Sequence, residues 1–227
     1  MKSIRTASRA AILAPRPGPA PQPGPADPAE PAERLLLEIR SCRLCAAHLP
    51  LPPRPVVRGR SSARLLIISQ APGTRAHATG LSFDDRSGER LRDWLGVSRE
   101  TFYDDSRIAI MAMGFCYPGR DSGGGDRPPR PECAPLWHGR LRPLLAAVEL
   151  TLLVGSHAIR HYLAHSRKRP MAATLAEWRD HLPQFFVLPH PSWRTTAWLR
   201  ANPWFETDML PELRRRVARL VGTEAKG

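Results

Sequence analysis

Two rhythms of apolar and polar positions alternate along the chain. Short, nearly continuous apolar runs recur at "RLLIIS" (64–69), "RIAIMAM" (107–113), "LTLLVG" (150–155) and "FFVLPH" (185–190). Runs of this length, ended by Gly, Pro or polar residues, are the pattern of strands buried on both faces. Between them the apolar residues recur every three or four positions. Helices are predicted over "AERLLLEIRSCRLCAAH" (32–48), "GERLRDWLG" (88–96), "PLWHGRLRPLLAAV" (135–148), "SHAIRHYLAH" (156–165), "LAEWRDHL" (175–182) and "LPELRRRVARLV" (210–221). Leu35, Leu36 and Ile39 share one face of the first, and Gly96 closes the second. Alternating strands and helices predict an α/β fold: a single three-layer domain with a central, mainly parallel four-stranded sheet flanked by helices. In such folds ligands bind beyond the carboxyl ends of the strands. The loops after residues 69, 113, 155 and 189 are therefore where chemistry is expected. The chain shows no internal repeat.

Composition divides the chain. Eight prolines fall between Pro15 and Pro31, mixed with Ala and Gly. A segment of that kind cannot bury a core, so residues 1–33 are expected as a disordered tail, 34–222 as the folded domain and 223–227 as a flexible end. The net charge is +13, and residues 1–33 hold four basic and three acidic side chains, which leaves +12 on the rest. A domain that basic suits a polyanion such as nucleic acid, although a GC-rich coding bias toward Arg produces the same excess. "AAILA" near the start is too short for a signal peptide, and no apolar run approaches the roughly 20 residues of a membrane helix. The chain is expected to be a monomer, cytoplasmic and nucleoid-associated.

Four cysteines stand in two pairs, Cys42/Cys45 with two residues between them and Cys116/Cys133 with sixteen. Four thiolates can close a zinc site or hold an iron–sulfur cluster, and their spacing alone does not choose between them. In the loop after the first strand, "SQAPG" (69–73) supplies tight turns and free N–H groups, and "FDDRSG" (83–88) supplies a planar ring and two acids. Asp85 and Ser87 can also cap the helix that follows. After the fourth strand comes "HPSWR" (190–194). His190, held between prolines, can donate a hydrogen bond to a developing oxyanion, or be an incidental member of a turn. Ser192 with its neighbouring N–H groups can grip a phosphate, and Trp193 and Arg194 can reach a duplex.

Taken in order, these motifs resemble the uracil-DNA glycosylase superfamily, most closely its iron–sulfur branches, families 4 and 5. Those branches carry a Cys-x2-Cys, a strand followed by "GEAPG" or "GLAPA", an "FTGDRSG"-type segment, a second cysteine pair enclosing "RPP", and "HPS" after the last strand. The counterparts here are Cys42/Cys45, "SQAPG", "FDDRSG", Cys116/Cys133 around "DRPPRPE", and "HPS" (190–192), and they cover roughly residues 35–221. The resemblance implies a DNA repair enzyme that flips uracil or a related deaminated base out of DNA and hydrolyses its N-glycosidic bond, leaving an abasic site. It implies a [4Fe–4S] cluster on the four cysteines. Gln70, Ala71, Pro72, Gly73 and Phe83 would form the base pocket, with Phe83 stacked on the base. His190 would bind the leaving base's O2, and a carboxylate would stabilise the cationic sugar and position water.

Two departures sharpen the reading. Gln70 stands where the "GEAPG" branch has its acid, and an amide cannot take a proton from water. Ala112 stands where that branch has the asparagine that reads uracil. In the "GLAPA" branch the acid is the Asp of "DRSG", which maps onto Asp85, with Asp84 as its near rival. His77 lies close to a His of a third, covalently trapping branch, but the loop around it does not match. A DNA-binding member without cleavage is the alternative, and a zinc-stabilised nucleic-acid-binding α/β protein is the reading that would remain without the resemblance.

Overall fold

The computed structural model describes residues 30–166 and 168–222. Residues 1–29 of the tail expected over 1–33, and the expected flexible end at 223–227, lie outside the described residues; Pro31 to Glu33 instead open the first helix, with Ala32 buried in the core. The four predicted strands are present: β1 (Leu65–Ser69), β2 (Ile108–Ala112), β3 (Leu150–Val154) and β4 (Phe185–Leu188). They form one sheet in the order β2-β1-β3-β4, and every pairing is parallel. Ile67 lies opposite Ile110 on one side and Leu152 on the other. Every residue of β1, β2 and β3 is buried. That burial explains why the runs are continuously apolar rather than alternating, since both sheet faces are covered.

The helices are α1 (Pro31–Arg40), α2 (Thr74–Thr79), α3 (Arg86–Leu95), α4 (Arg99–Phe102), α5 (Cys133–Leu141), α6 (Ser156–Tyr162), α7 (Met171–Ala176), α8 (Thr196–Ala201) and α9 (Leu210–Val221). Helix α1 packs on α5 and α3 on α9, while α6 and α9 reach β1 directly. In α9 the buried residues Leu213, Val217, Leu220 and Val221 make one apolar stripe, and Gly222 at φ +68° ends the helix. Among the described residues no helix is long and apolar enough to cross a membrane.

Several helix boundaries differ from the expectation. The helix expected over 32–48 stops at Arg40, so Cys42 sits in a turn and Cys45 leads into a short 3-10 turn, Ala46–His48. The apolar stripe ends at Ile39, and Leu44 beyond it is exposed, so no burial would support another helical turn there. The helix expected over 135–148 begins earlier, at Cys133, and tightens into a 3-10 turn at Arg142–Leu144, where Pro143 cannot donate. The one expected over 175–182 is instead the end of α7 followed by a 3-10 turn.

Candidate active site

The strand order reverses between β1 and β3, and a cleft of about 620 Å³ opens at the carboxyl ends of the strands. A cleft of this kind is expected where the order of a parallel sheet switches. Each strand-end loop supplies part of its lining. Gln70, Ala71, Pro72 and Gly73 come after β1; Ala112 ends β2; His157 follows β3; His190, Ser192, Trp193 and Arg194 follow β4. Phe83, Asp85 and Ser87 enter from the segment that leads into α3. The residues expected to form the base pocket and its surroundings are therefore brought together.

The first loop is an extension of the sheet. Met113 N–H donates to the Ser69 carbonyl at 2.8 Å, and Gly114 N–H donates to the Gln70 carbonyl at 3.1 Å. The β1–β2 ladder thus continues one step past the strands and fixes the Gln70 backbone at the cleft.

The segment 82–88 is held from behind. Phe83 has φ +59°, a left-handed conformation unusual for an aromatic residue. Its carbonyl accepts from Arg92 at 3.2 Å, the Ser82 carbonyl accepts from the Tyr103 hydroxyl at 2.9 Å, and its ring meets Phe102 edge-on at 6.1 Å. Gly88 makes the turn feasible: a Cβ there would lie 1.7 Å from the Phe83 carbonyl oxygen.

The two adjacent acids have different surroundings. Asp84 is buried, bonded to Arg99 at 2.8 Å with Arg75 at 3.6 Å, and it does not line the cleft. The Arg99 hydrogen bond holds its carboxyl below the usual range despite burial. Asp85 is exposed to the cleft. Its Oδ1 accepts Gly88 N–H at 2.9 Å, so it is also the cap of α3. Capping and facing the cleft are both true of this residue, because the cap occupies only one carboxylate oxygen.

The "HPSWR" loop is tied down at both ends. The Thr195 hydroxyl donates to the His190 carbonyl at 2.6 Å, and Arg90 from α3 donates to the Ser192 carbonyl at 2.9 Å. Burial pushes the His190 imidazole below its ordinary pKa; Asp85 works against that shift, while Arg194 and His157 add to it. Gly155 lies beside His190 at φ +84°, a left-handed conformation that favours glycine. Trp193 is 75% exposed, with Arg194 over its ring at 5.5 Å, and both stand at the cleft's edge.

A second, mostly apolar cavity is lined by Cys42, Cys45, Cys116 and Cys133 together. All four are free thiols. Burial pushes Cys116 up to about 11 and Cys133 up to about 12. Phe115 N–H donates to the Cys133 sulfur at 3.3 Å. Among the described residues no three His, Cys, Asp or Glu side chains are grouped as a site for a single metal ion. The four cysteines thus line one cavity, with a backbone N–H aimed at one of their sulfurs.

Sequence reasoning passed over four charged or titratable residues of the cleft. His157 signalled itself only as a polar residue at a strand's carboxyl end. Arg120, Asp121 and Asp126 sit in a Gly-rich stretch whose pattern gives no periodicity, and only the fold shows that it closes over the cleft. His77 does not line the cleft; it packs near Tyr117 at 6.1 Å.

Residues 57–214 match the family model described as the Uracil DNA glycosylase superfamily. That span covers most of the chain, including the whole sheet and every cleft residue. The protein belongs to this superfamily, whose members are typically glycosylase hydrolases acting on DNA.

Proposed function

We propose that the protein hydrolyses the N-glycosidic bond of uracil, or of a related deaminated base, after the nucleotide is flipped out of DNA. The observation that carries this reading is the convergence of Phe83, Asp85 and His190 on one cleft from segments more than a hundred residues apart. A flipped base entering there stacks on Phe83. His190, neutral because burial disfavours its charged form, donates to the O2 on which the leaving base gathers negative charge. The free oxygen of Asp85 faces the sugar as it becomes cationic and aligns the attacking water. Gln70 holds that water or the base through its amide but takes no proton. Ser192 and adjacent N–H groups grip phosphate, and Trp193 with Arg194 meets the duplex.

A [4Fe–4S] cluster is favoured over zinc for the four cysteines that line this cavity, on the likeness of their order and spacing to the iron–sulfur branches. A bound cluster would hold Cys45, Cys116 and Cys133 as thiolates even though burial raises their pKa values. Cys42 and Cys45 would then anchor the turn after α1 to the loop after β2 and to the start of α5. That is a structural link, outside the cleft and apart from its chemistry. An absorbance band near ~400 nm in protein purified without oxygen, lost together in Cys→Ser variants of all four positions, checks it.

The function is tested with oligonucleotides containing uracil, hypoxanthine or xanthine. Abasic sites should form on at least one of them. His190→Ala should lower the rate by on the order of 10²-fold or more, as removal of an oxyanion donor does elsewhere. Gln70 in the acid's place favours a second reading, binding without cleavage. Retained binding with no cleavage of any of the three substrates would establish that reading instead.

A further inference from the structure

The loop after β2 brings into the cleft a carboxylate that the mechanism above leaves without a role. Residues 119–127 form a closed hairpin. Arg120 and Asp126 pair antiparallel, Asp121 N–H donates to the Gly125 carbonyl at 2.8 Å, and Arg127 N–H donates to the Gly119 carbonyl at 2.9 Å. Gly125 N–H donates in turn to Asp121 Oδ1 at 2.9 Å, and Gly124 turns the chain at φ +74°. The hairpin sets Asp126 against the base-pocket loop. A Cβ built on Gly73 would meet Asp126 Oδ2 at 3.7 Å and no other atom within 4 Å. Among the described residues the Asp126 carboxylate makes no hydrogen bond or ion pair of its own. It is an open acceptor facing a cleft.

The base, for its part, needs an acceptor. Uracil and hypoxanthine each carry a ring N–H next to a carbonyl, and deamination creates it: the same nitrogen is an unprotonated acceptor in cytosine and adenine. Enclosing that N–H without a partner would cost a lost hydrogen bond and its desolvation. Ala112, at the end of β2, offers no polar side chain. We propose that Asp126 is a specificity-determining residue of this site, its carboxylate accepting the ring N–H of the flipped, deaminated base. The proposal rests on the glycosylase reading of the same cleft.

The surroundings of Asp126 add a pH signature. Burial raises its pKa above the ordinary range, and Asp85 at the start of α3 and Asp121 on its own hairpin raise it further. Arg120 on the hairpin and Arg194 after β4 act against the rise. The accepting, ionised form is therefore lost at a higher pH than for an unperturbed Asp, and kcat/KM should fall as pH drops through that point.

Asp126→Ala and Asp126→Asn are compared with the unaltered protein on uracil and hypoxanthine oligonucleotides across pH, with binding to abasic product as a control. Asp126→Ala should lower kcat/KM by about 10- to 10²-fold, the loss expected for a hydrogen bond to a charged group. Asp126→Asn keeps an accepting oxygen that does not titrate. It should stay within about tenfold of the unaltered protein and lose the acid limb. An unchanged rate in Asp126→Ala, an unchanged acid limb in Asp126→Asn, or a matching loss of product binding in both overturns the proposal. If the unaltered protein cleaves neither base nor a xanthine oligonucleotide, the glycosylase reading fails, and fluorescence anisotropy decides the contact. A preference for uracil over cytosine oligonucleotides that Asp126→Ala abolishes sustains it; no preference in the unaltered protein overturns it as well.

Discussion

Asp84 and Asp85 are neighbours in sequence and differ in everything that matters to a reaction. The first points into the protein and is neutralised by Arg99 and Arg75; the second caps α3 with one oxygen and leaves the other to the cleft. Asp85→Asn should therefore remove most glycosylase activity while Asp84→Asn removes much less, as measured by single-turnover cleavage of a uracil oligonucleotide. The reverse order would transfer the carboxylate's role to Asp84. The pH dependence of stability tests the Asp84 ion pairs directly. The Asp84 pKa is lowered in the folded state, so its contribution is fully present above the unfolded value and is lost as pH falls through the folded one. Acid unfolding followed by circular dichroism should be less steep in Asp84→Asn below pH ~4, the ordinary Asp range. Gly88 is the residue on which both acids depend. An added methyl group would drive into the Phe83 carbonyl, so Gly88→Ala should cost at least ~3 kcal/mol in chemical denaturation and displace the stacking ring.

At the scale of elements, the end of β2 is clamped from outside the sheet. His138 of α5 is buried, with Nε2 2.9 Å from the Ala112 carbonyl and Nδ1 2.6 Å from the Tyr162 hydroxyl of α6. The neutral ring satisfies both partners by donating from Nε2 and accepting at Nδ1. Burial pushes its pKa down to about 4. Its folded value lies below the unfolded one, so the unfolded chain binds the extra proton, and stability falls as pH drops from about 6.5 toward 4. The full loss is on the order of 3 kcal/mol. A His138→Gln variant should be less stable at pH 8 but should lose less between pH 7 and 4, as read from urea midpoints. Nothing in the sequence announces this clamp, because "PLWHGRL" reads only as an amphipathic helix with one polar member. The four strands were legible because continuous burial leaves a continuous apolar run. Helix α9 was legible to the residue because its stripe and its glycine cap coincide. The expected helix over Cys42 and Cys45 was not, since a cysteine counts as apolar whether it packs in a core or faces a shared cavity. The strand-end motifs of the cleft were legible for the same reason that they resemble a family: each is a local turn with its own glycine or proline. Asp126 and His157 were not, because they become site residues only when the hairpin and β3 fold toward β1.

The whole molecule carries +13, and two origins of that charge make opposite forecasts. A coding bias spreads arginine without regard to the cleft, so exposed arginines should be interchangeable. A nucleic-acid footprint concentrates function at the cleft, where Arg120 and Arg194 line the same opening as the exposed Trp193. Arginines elsewhere are often spent within the fold: Arg215 of α9 is paired with Glu212, and Arg140 of α5 with Glu38. Each phosphate neutralised on binding releases condensed counterions, so the logarithm of affinity falls linearly with the logarithm of salt concentration. Arg194→Ala should weaken binding to a duplex of any sequence and reduce that slope by about 1, the signature of one lost phosphate contact. Arg215→Ala, with its charge already paired outside the cleft, should leave the slope unchanged. Titrations between about 50 and 200 mM salt resolve a difference of that size. Equal slopes for the two variants would return the excess charge to composition and leave Trp193 and the hairpin to hold the duplex without it.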